Sequence, residues 1–116
     1  MDREDFERRE ADRKDSLNLL DFAVIGSNGE IVNREMGRTL DVSGKGLRLE
    51  TSLFLEVDQL LVVTLELGND LVELRGRVIY SEPTSDDKFA SGIELLKMND
   101  HDRDVFGRFL NAFKKA

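Results

Sequence analysis

The sequence predicts an all-β domain closed by one C-terminal helix. Two observations carry this expectation. Short segments after residue 17 alternate apolar and polar side chains, the period of a strand with one buried face, and only brief turns separate them. The last segment changes period: Val105, Phe106, Phe109, Leu110 and Phe113 recur at helical spacing. Parallel strands need crossovers of roughly a dozen residues or more, so such short connections predict an antiparallel barrel or sandwich with the helix packed at one end or side.

The elements follow in order. Leu17 to Ile25, with Leu19, Leu20, Phe22 and Val24, reads as a first strand. Ser27-Asn28-Gly29 reads as a turn, because Asn and Gly accept positive φ at little cost. A second strand is expected from about Arg38 to Val42. The glycine-rich turn Ser43-Gly44-Lys45-Gly46 and a third strand, Leu47 to Thr51, come next. After a loop at about 52–59, Leu61, Val63, Leu65 and Leu67 define a fourth strand, and Gly68-Asn69-Asp70 a turn. Val72 to Tyr80 forms a long fifth strand. The only proline, Pro83, lies in a polar connection from Glu82 to Lys88, and Phe89 to Leu95 is the sixth strand. Asn99 or Asp100 is placed to cap the helix. Asp100, Asp102 and Asp104 suit its positive end, and Lys114 and Lys115 its negative end.

Residues 1–16 differ from the rest. They hold five basic and seven acidic residues, and beyond Met1 only Phe6 and Ala11 are apolar. Such a segment buries little surface, so it is expected to be a flexible charged leader. Residues 17–116 are expected to form the single barrel domain with its helix. With 116 residues the chain has the size of one ordinary domain.

Composition narrows the function. Cysteine is absent and His101 is the only histidine, which removes disulfides and thiolate metal sites; no metal site or cofactor is expected. No apolar run reaches the roughly 18 residues of a membrane span, and the charged N-terminus is unlike a signal peptide. A cytoplasmic protein without membrane insertion is therefore expected. The net charge of −7 argues against nucleic acid as a partner, while a few arginines still suffice for one small anionic ligand. Nucleophile elbows, phosphate loops and metalloprotease motifs are missing, and the many carboxylates are scattered, so no enzyme is expected.

Two features stand out. Arg9 and Arg13 are four apart, so they share a helix face or converge in a turn, with Arg8 adjacent. Guanidinium groups bind phosphate oxygens and the O6/N7 edge of guanine in bidentate fashion. Alone, the pair also fits a solvated, internally ion-paired helix. The second feature is Asp41-Val42-Ser43-Gly44-Lys45-Gly46. Asp41 and Ser43 point the same way at strand period, and Gly46 allows close backbone approach or positive φ. Alone, it also fits an ordinary tight turn.

Together, Arg-x-x-x-Arg at Arg9 and Arg13, followed 28 residues later by Asp-x-Ser-x-x-Gly at Asp41, Ser43 and Gly46, resembles the signature of the PilZ family. Leu47 after the turn, Gly92-Ile93-Glu94 in the last strand and the terminal helix extend the likeness over nearly the whole chain. Glu56-Val57-Asp58 stands where that family often carries Pro-Gly. The resemblance implies a six-stranded antiparallel β-barrel of split-barrel type with a C-terminal helix, and cyclic di-GMP as ligand. It implies that Arg9 and Arg13 take phosphate oxygens and guanine acceptors. Arg8 adds a cation–guanine stack, Asp41 accepts from guanine N–H groups, Ser43 adds a hydroxyl, and Gly46 lets the ligand lie against the backbone. The domain would signal to an unidentified downstream protein. The alternative is a PilZ-fold adaptor that does not bind the nucleotide and acts through protein–protein contacts, offering the Phe106, Phe109 and Phe113 stripe. An amphipathic helix usually buries such a stripe, so it reads first as core.

Overall fold

The computed structural model describes residues 19–115. Six strands and one helix follow in the order β1 (Leu19–Ile25), β2 (Ile31–Ser43), β3 (Gly46–Thr51), β4 (Leu60–Leu67), β5 (Asp70–Pro83), β6 (Phe89–Leu95) and α1 (Asp100–Lys115). The strands close into a barrel with neighbours β1-β2-β3-β6-β5-β4, and each pairing is antiparallel. The six-stranded antiparallel barrel with a C-terminal helix is therefore the fold of this chain.

Alternation places the core. Phe22 and Val24 on β1, Leu47 and Leu49 on β3, Leu61, Val63 and Leu65 on β4, Leu74 and Val78 on β5, and Ile93 on β6 point inward and are buried. Each such side chain stabilises the fold by about 1.5–3 kcal/mol through removal of apolar surface from water. The stripe on α1 belongs to the same core. Val105, Phe106 and Phe109 are buried, Leu110 and Phe113 pack against them, and α1 touches β2, β4 and β5.

The turns form for the expected reasons. Gly29 has φ +84° and donates to the carbonyl of Gly26 at 2.9 Å, and Gly68 has φ +61°. Asp58 takes φ 73° where a glycine would sit without strain, and its N–H donates to the carbonyl of Val78 at 2.7 Å. Asn99 is the helix cap: its Oδ1 accepts from the Asp102 N–H at 2.7 Å, and its carbonyl accepts from Arg103 at 3.0 Å. Further along the helix, Arg108 donates to Asp70 at 2.9 Å and Asp104 at 3.2 Å, tying α1 to the β4–β5 turn.

Of the boundaries that differ from the sequence expectation, two shift by more than two residues. β2 begins at Ile31 rather than near Arg38, because residues 31–37 pair with β1 although their side chains are mostly exposed. β5 runs on to Pro83, which pairs with Phe89 and ends the strand instead of lying in the connection. No helix among the described residues is long and apolar enough to cross a membrane.

Candidate functional site

The turn singled out in the sequence is the hairpin between β2 and β3. Ser43 pairs with Gly46, leaving Gly44-Lys45 as the connection. A register shift between Thr39 and Asp41 marks a bulge just before it. Beyond the bulge Val42 is buried and Asp41 and Ser43 are exposed, so both polar side chains lie on the outer face. Asp41 Oδ1 accepts from the Val42 N–H at 2.9 Å, which orients the carboxylate and leaves it capacity for further donors. Ser43 Oγ accepts from the Lys45 N–H at 3.3 Å, so its own hydroxyl proton remains available to donate.

Gly46 does not need positive φ. What demands glycine is space: a Cβ there would overlap the carbonyl oxygen of Ile93 on the neighbouring β6. The close approach expected at this position is thus made by the chain's own strand. It holds the hairpin against β6, and the Leu95 N–H reinforces it by donating to the Lys45 carbonyl at 3.0 Å.

This hairpin forms one wall of a cavity of about 720 Å³, within the size range of small-molecule sites. Strand register explains the other walls. Asp41 pairs with Arg48, Arg48 with Gly92, and Gly92 with Tyr80, so one row crosses four strands on the outer face. Gly92 is the floor of that row. A side chain there would run into the Tyr80 ring, so glycine lets the ring lie over the strand. Arg103 and Phe106 of α1 and Met98 before it close the far side.

The charge balance is local. Lys45, Arg48, Lys97 and Arg103 line the cavity against two acids, Asp41 and Glu94, on a chain of net charge −7. Arg48 Nη2 lies 3.2 Å from Glu82 Oε1, both exposed. Such a cavity suits a ligand with anionic oxygens, a flat ring to stack on tyrosine and N–H donors for a carboxylate.

Of the residues expected to form the site, the structure brings Asp41, Ser43 and Gly46 together on this cavity. Arg8, Arg9 and Arg13 lie outside the described residues. Reading the sequence missed Arg48, Tyr80 and Arg103. Arg48 is two residues beyond Gly46 and Tyr80 is the only tyrosine, but nothing in a linear pattern places them beside Asp41.

A hairpin of this form, on a six-stranded barrel sealed by a helix, defines a class. The PilZ domain model matches residues 7–112, and the chain belongs to the PilZ domain family. No curated protein sequence matches the chain. Solved structures that share the fold include two of MrkH. The K. pneumonia MrkH–c-di-GMP complex has a TM-score of 0.59 and 17% identity, over 85% of this chain and 50% of that one. A second MrkH structure, of a protein described as a c-di-GMP-dependent transcription regulatory factor, has a TM-score of 0.54 and 15% identity, over 83% and 46%. The chain thus spans about half the length of these proteins.

Proposed function

We propose that this domain is a cytoplasmic receptor for cyclic di-GMP. The observation that carries the reading is the juxtaposition of Asp41, Ser43 and Tyr80 with four cations around one cavity in a chain of the PilZ family. Asp41 accepts from guanine N–H donors and Ser43 donates its hydroxyl. The Tyr80 ring offers a face for a guanine, and Arg48, Lys45 and Arg103 offset phosphate charge. Arg8, Arg9 and Arg13 complete the set from a leader spanning residues 1–16, which orders over the ligand and changes the surface seen by a downstream protein. The barrel together with its C-terminal helix is proposed to form one domain over residues 17–116. The mechanism needs binding and ordering alone, with no chemical step.

The MrkH likeness is consistent with this reading, since one of the MrkH structures named above is a c-di-GMP complex. Burial of Phe106 and Phe109 leaves the helix stripe little to offer a protein partner, which favours the receptor over the adaptor. An equilibrium titration with cyclic di-GMP, against GTP and cyclic AMP, tests the proposal. Selective binding supports it, and a folded protein that binds none of the three removes it.

A further inference from the structure

Among the described residues, three acid–base pairs stand directly opposite each other on neighbouring strands. Arg38 faces Glu50 and Asp41 faces Arg48 between β2 and β3, and Arg77 faces Glu94 between β5 and β6. Opposite charges in this relation lie within reach and attract. Arg38 meets Glu50 at 3.8 Å, and Arg77 meets Glu94 at 3.6 Å. The third pair does not close. Arg48 instead donates from Nη2 to Oε1 of Glu82 on β5 at 3.2 Å, and Asp41 makes no ion pair among the described residues. Strand β6, between them, makes the reach possible. Arg48 stands opposite Gly92 and Glu82 opposite Ala90. Glycine and alanine rise little above the sheet, so a long side chain can cross the roughly 10 Å of two strand spacings.

We propose that Glu82 is a positioning residue that sets the guanine selectivity of the cavity by holding Arg48 off Asp41. The inference rests on the receptor reading above. Asp41 can read guanine N–H donors only with free acceptor capacity. Its Oδ1 already accepts from the Val42 N–H, and an arginine drawn onto the rest of the carboxylate would take the lone pairs that guanine needs. Arg48 could not stand in for Asp41 there, because a guanidinium donates and never accepts.

With Glu82 in place the two tasks separate. Arg48 stays on the cavity wall as a cation for phosphate, and Asp41, also on that wall, stays an acceptor for the base. Glu82 lies outside the cavity lining, so it acts through Arg48 rather than on the ligand.

The test compares the full chain with Glu82→Gln, which removes the charge and keeps the shape. Each is titrated with cyclic di-GMP and with cyclic di-IMP, which lacks only the exocyclic amino groups of the two bases. The preference for cyclic di-GMP should fall about two- to fivefold in Glu82→Gln, the scale of an exposed ion pair. On an Arg48→Ala background, Glu82→Gln should change the preference no further. In the free protein, NMR should show the Asp41 carboxyl carbon and the Arg48 guanidinium resonances shifting together in Glu82→Gln, as Arg48 moves to Asp41. Melting curves check that each variant is folded. An unchanged or greater preference in Glu82→Gln would overturn the proposal. So would the same loss without Arg48, or an Asp41 resonance that does not move. A parent that binds neither nucleotide removes the receptor reading and this role with it. A parent that prefers cyclic di-GMP, matched by Glu82→Gln, removes the role of Glu82 alone.

Discussion

Gly46 rests against the carbonyl oxygen of Ile93 so closely that a methyl group at Gly46 has no room. The obstacle is backbone, so it cannot swing aside. Gly46→Ala should destabilise the domain by about 1–3 kcal/mol, the range for overpacking. Gly44→Ala, two residues away, meets nothing within 4 Å and should stay within about 0.5 kcal/mol of the parent. Urea denaturation of both variants measures the contrast. Equal stability of the two would mean that Gly46 is not packed as described.

Tyr80 lies over Gly92 with 39% of its surface exposed, so the fold depends little on its ring. Tyr80→Ala should cost about 1–3 kcal/mol of cyclic di-GMP binding, the range for a base stacked on an aromatic ring. The unfolding midpoint should move little. Unchanged affinity would remove Tyr80 from the site.

The helix offers a gain and a loss. Gly107 is an interior helical residue, and a Cβ there meets nothing within 4 Å. Gly107→Ala should therefore stabilise the domain by about 0.8–1 kcal/mol, the propensity difference between the two residues. Asn99→Ala removes the cap on Asp102 and should cost about 1 kcal/mol. Thermal or urea unfolding reads both, with opposite signs.

Arg9 and Arg13 are proposed to act on the ligand alone. Changing either to Ala should lose about 1.5–3 kcal/mol of binding, as for hydrogen bonds to charged groups, with the unfolding midpoint of the free protein nearly unchanged. Unfolding of either variant would make that arginine structural and contradict its assignment.

Much of the fold was legible because burial writes itself into alternation. Leu61, Val63 and Leu65, or Val72, Leu74 and Val78, announce strands with one buried face. The first half of β2 gave no such signal. Ile31 to Met36 is exposed on both faces, so nothing imposes a period of two, and the strand read as starting near Arg38. The helix read correctly to its cap, since Asn99, the acids after it and the phenylalanine stripe all act locally. Half of the candidate site was legible for a similar reason, since Asp41, Ser43 and Gly46 lie within one hairpin. Arg48, Gly92 and Tyr80 join them only through register across three strands, and Arg103 only through helix docking. Neither leaves a mark in local spacing. The steric role of Gly46 was equally hidden, because it depends on a carbonyl 47 positions along the chain.

The central claim is that this cavity receives cyclic di-GMP. A calorimetric titration of the folded full chain at low and high salt tests it most directly, with GTP and cyclic AMP as controls. The account predicts selective binding at micromolar affinity or tighter, weakening as salt screens the phosphate contacts. A folded protein that releases no heat and shows no affinity for cyclic di-GMP would contradict it.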